Sequence, residues 1–168
     1  MNDFARALPV ILKAEGGYVN DLDDRGGATN KGVTQKTYDM WRKSELLPVR
    51  PVKEIQDVEV ESIYRRDYWF AGRCESLTWP ASLVHFDACV NHGVGRASKM
   101  LQDAAGVMVD GKIGPKTIAA VNADPAGVVK RYLEERERFY RLIAIGKQEK
   151  FLKGWLARLD HLSIAVAT

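Results

Sequence analysis

The chain has little cysteine and little histidine, which limits the disulfide bonds and metal sites that it can form. It contains two cysteines and three histidines in 168 residues. Two cysteines cannot build the multi-bridge framework of small secreted domains. Cys74 and Cys89 are therefore interpreted as free thiols in a reducing compartment, with a single bridge between them left open. His85, His92 and His161 lack the tight spacing of a metal-binding motif, so the sequence predicts no metal site and no cofactor.

The chain also lacks a strong charge of one sign and any long apolar run. Its formal net charge is +3, an excess too small to indicate a nucleic-acid partner, although it is compatible with an anionic polymer. No stretch approaches the ~20 apolar residues of a transmembrane helix, so no stable membrane insertion is expected. The N-terminal segment lacks the basic region and cleavage site of a secretory signal peptide, so none is predicted.

The remaining composition is that of an ordinary globular domain. Hydrophobic residues make up 46% and charged residues 28% of the chain. The length suits one domain or two small domains packed together. Apolar residues recur at helical spacing in most segments, and only Gly26-Gly27 indicates a small β-hairpin. The sequence therefore predicts an all-α fold, mainly helical with at most one small hairpin.

Capping and breaking residues place the predicted helices. The first runs from Asp3 to Ala14, with Asn2 or Asp3 as its cap. A glycine-rich junction, Gly93-x-Gly95, separates a predicted lobe 1–94 from a predicted lobe 95–168. The further predicted helices cover residues 35–42, 58–70, 80–93, 97–105, 115–121, 125–146 and a last segment around 151–159.

The most informative stretch, EGGYVNDLDDRGGATNKGVTQKTY, runs from Glu15 to Tyr38. Glu15 follows Ile11 by one helical turn, so it should lie at the end of the first helix, near the apolar face and partly buried. It precedes a segment rich in aspartate, hydroxyl groups and glycine turns. A glutamate fixed on a rigid element opposite a polar loop is a common way to build the acid of a glycosidase.

This stretch resembles glycoside hydrolase family 108, the lysozyme-like N-acetylmuramidases of phages and prophages. The N-terminal resemblance rests on Glu15-Gly-Gly-Tyr18, Asn20-Asp21, Asp24, Gly26-Gly27, Thr29-Asn30-x-Gly32-Val33-Thr34, Ile63-Tyr64, Asp67-Tyr68-Trp69, Phe86-Asp87-Ala88 and Asn91. The later segments Leu101–Val107 and Asp110–Thr117 are similar to the peptidoglycan-binding-type domain that often follows this family's catalytic domain.

The resemblance implies a set of catalytic residues. Glu15 would be the general acid and Asp24 the second carboxyl group, with Asp21 and then Asp23 as the alternatives. Thr29 would position the attacking water. Each aspartate could instead be a turn residue, because aspartate is frequent in turns.

The resemblance also implies the residues that bind substrate: Tyr18, Asn20, Asp21, Tyr68, Trp69, Asp87 and Asn91. Tyr68 and Trp69 could offer aromatic faces to sugar rings, with core packing as the alternative. Asp87 and Asn91 are four positions apart, on one helix face, and are expected on a cleft wall opposite Glu15.

The implied protein is an endolysin-like, bacteriolytic muramidase. It would cut the β-1,4 bond between N-acetylmuramic acid and N-acetylglucosamine in bacterial peptidoglycan. A lytic transglycosylase and a non-catalytic wall-binding or secretion-helper module remain open. Residues 1–94 would form the lysozyme-like catalytic lobe, and 95–168 a helical peptidoglycan-binding-type lobe packed on it. Synthesis in the bacterial cytoplasm and action in the periplasm or wall are expected, after release by a holin or by secretion machinery.

Overall fold

The computed structural model describes residues 2–19 and 27–167, and within these ranges the chain is mainly helical. The α-helices are α1 (Asp3–Ala14), α2 (Gln35–Ser44), α3 (Asp57–Tyr64), α4 (Ala81–His92), α5 (Val94–Ala104), α6 (Pro115–Ala123), α7 (Pro125–Ile143) and α8 (Leu152–Ala167). Strands β1 (Thr29–Asn30) and β2 (Val33–Thr34) form a small antiparallel sheet, and short helical turns cover Val52–Glu54, Arg65–Phe70, Cys74–Ser76 and Gly146–Phe151. The predicted fold class is confirmed. Within the described ranges, no helix is both long and apolar enough to cross a membrane.

Helix α1 has the predicted bounds and places Glu15 beyond its last turn. Asn2 caps it, because its side-chain oxygen accepts a hydrogen bond from the Phe4 N–H at 3.0 Å. The spacing of the buried residues, among them Phe4 and Ile11, turns one face toward the core. Glu15 leaves the helix with φ −86° and ψ 139°, yet its N–H still bonds the Ile11 carbonyl oxygen at 3.2 Å. The Glu15 backbone is thus fixed while its side chain projects past the helix end.

A hairpin turn that the sequence analysis did not predict lies at Lys31-Gly32, between β1 and β2. Gly26 of the predicted Gly26-Gly27 turn lies outside the described residues, so that turn stays a prediction. Both turn residues have positive φ, 50° for Lys31 and 75° for Gly32. Asn30 attaches the hairpin to the turn at Val52–Glu54, because its side-chain amide donates to the Val52 carbonyl oxygen at 3.2 Å. Positive φ at two adjacent residues is the geometry that a two-residue hairpin turn requires.

Helix α4 lies between two hydrophobic clusters. All nine residues from Ala81 to Cys89 are buried. The first cluster gathers side chains of α1 to α4 and also takes Tyr140 from α7 and two leucines from α8. The second cluster lies between α4, α5, α6 and α7. Because α7 and α8 contribute to the first cluster, the two hydrophobic clusters do not follow the predicted lobe boundary at 94/95. That boundary stays a prediction.

Candidate active site

Glu15 is held by an arginine from the far end of the chain. Arg158, on α8, donates from Nη1 to Glu15 Oε1 at 2.8 Å and from Nε to Asp87 Oδ1 at 2.8 Å. The side chains of Glu15 and Arg158 are 20% and 13% exposed. A guanidinium group presents several donors in a fixed plane and can therefore bridge two carboxylates. Arg158 thus links the end of α1 to α4.

Asp87 fixes Arg158 from inside the protein. Its other carboxylate oxygen, Oδ2, accepts a hydrogen bond from Arg136 Nη2 at 2.6 Å, and both side chains are buried. Burial alone would raise the pKa of Asp87, but the charges of Arg136 and Arg158 hold that pKa below its usual range. The two carboxylates and two guanidinium groups balance one another in charge, which makes their burial tolerable.

The hairpin turn packs against the other side of Glu15. A Cβ atom on Gly32 would lie 3.0 Å from Glu15 Oε2 and 2.2 Å from Tyr64 Oη. Tyr64 Oη donates to the Lys31 carbonyl oxygen at 3.0 Å. Burial and then the charge of Glu15 raise the pKa of Tyr64 well above its usual value, so its hydroxyl stays a neutral donor. Only a residue without a side chain fits at position 32.

The predicted second carboxyl group lies outside the described residues. Asn20, Asp21 and Asp24 all fall between the two described ranges, as does Asp23, so their assigned roles stay predictions. The flanks of that segment are described. Val19 and Thr29 exchange two backbone hydrogen bonds, each 2.8 Å long.

Tyr18 and Thr29 lie near these flanks at accessible positions. Tyr18 is 42% exposed, and the Lys53 ammonium group lies 5.6 Å from the centre of its ring. The Thr29 hydroxyl donates to the Gly27 carbonyl oxygen at 3.3 Å. The substrate-binding role of Tyr18 and the water-positioning role of Thr29 stay predictions.

Trp69 is a core residue, so the prediction that it offers an aromatic face to a sugar ring is wrong. Its side chain is 2% exposed and packs edge-on against Phe4 and Phe86, with ring centroids 5.4 and 5.3 Å apart. The sequence predicted one α-helix through residue 70, but the chain widens into a π-helical turn after Tyr64, which changes the direction of each later side chain. Tyr68, on the same turn, is half-buried and close enough for the Glu15 charge to raise its pKa, after burial and Asp67. A platform on Tyr68 stays a prediction.

Asp87 and Asn91 form the predicted pair, with Asp87 buried and Asn91 exposed. Asp87 is 1% exposed, so a direct contact of its carboxylate with substrate is corrected to a positioning role through Arg158. Asn91 donates from Nδ2 to the Asp87 carbonyl oxygen at 2.8 Å and to Oδ2 at 3.3 Å. This amide group supports Asp87, and the substrate-binding role of the exposed Asn91 stays a prediction.

The sequence prediction missed Arg158 and Arg136. Arg158 lies 143 positions from Glu15 along the chain, so no local motif connects them. A signal does exist, because each arginine stands within the apolar face of its helix. Arg158 shares a face with Leu159 and Leu162, and Arg136 lies between Tyr132 and Tyr140. A charged residue on a buried helix face requires a buried partner of opposite charge.

A cluster of possible metal ligands was also missed. Cys74, His85 and Cys89 each place one ligand atom within 4.8 Å of the others, and all three residues are buried. Both cysteines are free thiols. The sequence predicted no metal motif because Cys74 is remote in the chain, although His85 and Cys89 are one helical turn apart on α4.

Comparisons with known proteins cover nearly the whole chain. Residues 8–93 match the family model described as glycosyl hydrolase 108, and residues 96–160 match one described as a predicted peptidoglycan domain. The solved structure of Brucella abortus SagA is 36% identical, with a TM-score of 0.82, covering 98% of this chain and 94% of that chain. No curated protein matches.

A helical fold with a fixed, partly exposed glutamate at a helix end is suited to a glycoside hydrolase, and the comparisons establish that class. The chain belongs to glycosyl hydrolase family 108, which confirms the resemblance found in the sequence. With the peptidoglycan domain that follows, the protein is a peptidoglycan hydrolase.

Proposed function

We propose that the protein is an N-acetylmuramidase that cuts the β-1,4 bond between N-acetylmuramic acid and N-acetylglucosamine, with Glu15 as the general acid. The observation that carries the proposal is the fixed position of the Glu15 carboxyl group. It is held by Arg158 at 2.8 Å on one oxygen and lies against Gly32 with the other. A general acid must be held within hydrogen-bond reach of the leaving oxygen, so this rigidity suits the role.

Arg158 has a defined part in this mechanism. As the general acid, Glu15 would donate a proton to the glycosidic oxygen of a glycan lying over it. Transfer of the proton to the glycosidic oxygen leaves a carboxylate beside the Arg158 guanidinium group. The positive charge then stabilises that carboxylate in place, without a rearrangement of the site.

The second carboxyl group is proposed to be Asp24, with Asp21 and Asp23 as alternatives. Support comes from the backbone pairing of Val19 with Thr29, which brings both flanks of the aspartate segment together next to the hairpin that contacts Glu15. Thr29, in β1, is proposed to hold the attacking water. A carboxylate separation of ~5–5.5 Å would give retention of configuration and ~6.5–9.5 Å inversion.

We further propose that the enzyme acts on the wall from the periplasmic side, as an endolysin-type, prophage-encoded and bacteriolytic protein. Release would require a holin or secretion machinery. The support is the family, together with a peptidoglycan domain at residues 96–160.

The proposal is tested by digesting purified peptidoglycan with the wild type and with Glu15→Gln. The soluble products are reduced with borohydride and analysed by mass spectrometry. We expect wild-type products that end in reduced N-acetylmuramic acid, and a loss of at least 100-fold in their release by Glu15→Gln, since a general acid contributes ~10²–10⁴-fold. Glu61→Gln is the matched control, because Glu61 is exposed on α3 and pairs only with Arg65 among the contacts described.

The other outcomes separate the alternatives. Anhydro-muropeptides would identify a lytic transglycosylase, and binding without product release would identify a wall-binding module. Retained hydrolysis by Glu15→Gln would remove Glu15 from the mechanism. In the same assay Asp24→Asn should lose far more activity than Asp23→Asn, and equal losses would contradict the choice of Asp24.

A further inference from the structure

A compact set of donor atoms lies where the two hydrophobic clusters meet, with Cys74 in the first cluster and Cys89 in the second. Cys74 comes from the short turn Cys74–Ser76, and His85 and Cys89 come from α4. Their ligand atoms all lie within 4.8 Å of one another, and each residue is 0% exposed. Two thiols and an imidazole that converge in the core are a ligand set suited to a soft or borderline metal ion.

Hydrogen bonds fix the orientation of the His85 ring. Tyr132 Oη donates its single hydrogen to the Ala97 carbonyl oxygen at 2.8 Å, so it must accept from His85 Nδ1, which lies 3.0 Å away. Nε2 then carries no hydrogen, so it cannot donate to the Gly72 carbonyl oxygen 3.0 Å away and can only accept from the Cys89 thiol at 3.6 Å. Metal-bound histidines nearly always donate their other ring N–H to such a fixed acceptor.

The N–S distance in this cluster matches the edge of a tetrahedral zinc site, and the N–O distance is ~0.4 Å shorter than such an edge. With Zn–N of ~2.1 Å and Zn–S of ~2.3 Å, the edges of a tetrahedron are ~3.6 Å between N and S and ~3.4 Å between N and O. The corresponding distances from His85 Nε2 are 3.6 Å to Cys89 Sγ and 3.0 Å to the Gly72 carbonyl oxygen. Cys74 Sγ lies within 4.8 Å of both of the other ligand atoms and supplies another corner.

We propose that Cys74, His85 and Cys89 bind a structural Zn²⁺ ion, with the Gly72 carbonyl oxygen in the fourth position. Two thiolates and one Zn²⁺ ion sum to zero charge, which suits a buried site. Cu⁺ with the same ligands would leave a net negative charge in the core, and such burial is costly. Carboxylate-preferring ions such as Mg²⁺ are disfavoured by thiolate ligands.

The Gly72 backbone lies close to both cysteine sulfur atoms, as such a site requires. A Cβ atom there would lie 2.6 Å from Cys89 Sγ, 3.2 Å from Cys74 Sγ and 2.7 Å from the Tyr68 carbonyl oxygen. Its backbone N–H donates to that Tyr68 oxygen at 2.9 Å. A zinc ion would therefore tie the turn that carries Tyr68 to α4. A structural site has all four positions filled by protein, so it provides no catalytic chemistry.

The test is metal uptake on refolding, since a buried site must be loaded as the chain folds. The reduced full-length chain is unfolded, refolded with Zn²⁺, Co²⁺ or Mg²⁺, and freed of loose metal. We expect about one Zn²⁺ per chain by elemental analysis and native mass spectrometry, thiolate-to-cobalt charge-transfer absorption with Co²⁺, and no retained Mg²⁺. Both thiols should resist alkylation in the zinc form.

Variants separate the site from adventitious binding. Cys74→Ser and Cys89→Ser should each lower zinc retention at least tenfold, while His161→Gln, which alters an exposed histidine, should keep it. The cobalt spectrum is measured on the wild type, so it tests the site even if a serine variant fails to fold. Absence of zinc from correctly folded wild type, or full retention by both serine variants, would overturn the proposal. In that case the cluster is a hydrogen-bonded group of thiols and imidazole only.

Discussion

Glu15 owes its position to three residues that contact it from different parts of the chain. Ile11 accepts its backbone N–H in the last turn of α1, Gly32 lies against its carboxyl group, and Arg158 donates to that group. Gly32 is the most restrictive of these, because any side chain there would enter the space of both the acid and Tyr64. Gly32, a turn glycine by its sequence context, is therefore in contact with the proposed acid.

This role can be measured by comparing Gly32→Ala with Gly27→Ala. Both glycines have positive φ, 75° and 67°, so both variants carry a similar backbone cost of ~1–2 kcal/mol. A Cβ at Gly27 meets nothing within 4 Å, whereas one at Gly32 meets Tyr64 and Glu15. We expect Gly32→Ala to lose at least tenfold in peptidoglycan hydrolysis and Gly27→Ala to lose little. Equal losses in a turbidity assay would show that backbone strain alone is responsible.

At this scale the sequence identified local features and missed distant partners. The end of α1 at Glu15 and the pairing of Asp87 with Asn91 follow from spacing within one helix, so they could be predicted. Arg158 could not be assigned to Glu15, because only tertiary packing joins α8 to α1. Trp69 was misplaced for a related reason, since a π-helical turn rotates side chains in a way that regular helical spacing does not anticipate.

Among the elements, α4 has the most demanding surroundings. It is buried over nine consecutive residues, and it pairs His85 with Tyr132, and Asp87 with two arginines. At its last residue, His92 accepts a hydrogen bond at Nε2 from Arg136 Nε at 3.2 Å. Burial, followed by the charge of Arg136, lowers the pKa of His92 to about 3. The native state therefore requires neutral His92.

This requirement predicts an acid-sensitive component of stability. An unfolded histidine has a pKa of ~6.5, so between that pH and about 3 the unfolded chain binds a proton that the native chain excludes. The free energy of unfolding should therefore fall as pH drops below ~6.5, by about 1 kcal/mol between pH 7 and pH 5 after allowance for partial exposure.

The measurement is urea unfolding at both pH values for the wild type, His92→Gln and His161→Gln. Glutamine can accept the same hydrogen bond without titrating, so His92→Gln should lose this component of the pH dependence. His161 is exposed, and its variant should keep it. An unchanged pH dependence in His92→Gln would assign the effect to other groups.

Helix starts that have a side-chain cap were predicted well. Asn2, Thr34 and Asp124 accept hydrogen bonds from the first turns of their helices, and this local chemistry is visible in sequence. Helix α5 begins at Val94, three residues before the predicted start, because Gly93 adopts a φ of 76° that lets the chain begin a new helix at once. Helix α7 ends at Ile143, before the glycine at 146 that was expected to stop it.

For the whole molecule, the arrangement of α8 places the C-terminal region against the proposed acid. Arg158 lies within the residues matched by the peptidoglycan domain, yet its guanidinium group contacts the proposed acid of the family 108 domain. Leu159 and Leu162 of the same helix are buried in the first hydrophobic cluster. The C-terminal region thus contributes both packing and a charged group to the catalytic side.

Substitution of Arg158 tests that contribution. Arg158→Gln should lower kcat for glycan cleavage ~100-fold, since small misplacements of a catalytic group have effects of that size. It should also destabilise the fold by ~1–3 kcal/mol, because Asp87 loses one buried partner. Arg158→Lys keeps the charge but cannot bridge both carboxylates, so partial rescue is expected.

Arg138→Gln is the control for the loss of an arginine, since that side chain is 72% exposed. Steady-state kinetics on a soluble glycan fragment would separate kcat from KM, and denaturant unfolding would report stability. Unchanged kcat in a folded Arg158→Gln protein would show that Arg158 serves stability alone.

The position of Arg158 restricts how the two regions of this chain can be recombined with those of related proteins. The C-terminal region cannot be exchanged by itself. A recombination point near residue 94 would combine Glu15 of this protein with the arginine of another protein. A chimera would work only where the donor presents an arginine at the same place on a last helix that fits the recipient's core. The two regions should therefore be exchanged together, and libraries of hybrid wall hydrolases built from this protein should place their junctions outside both.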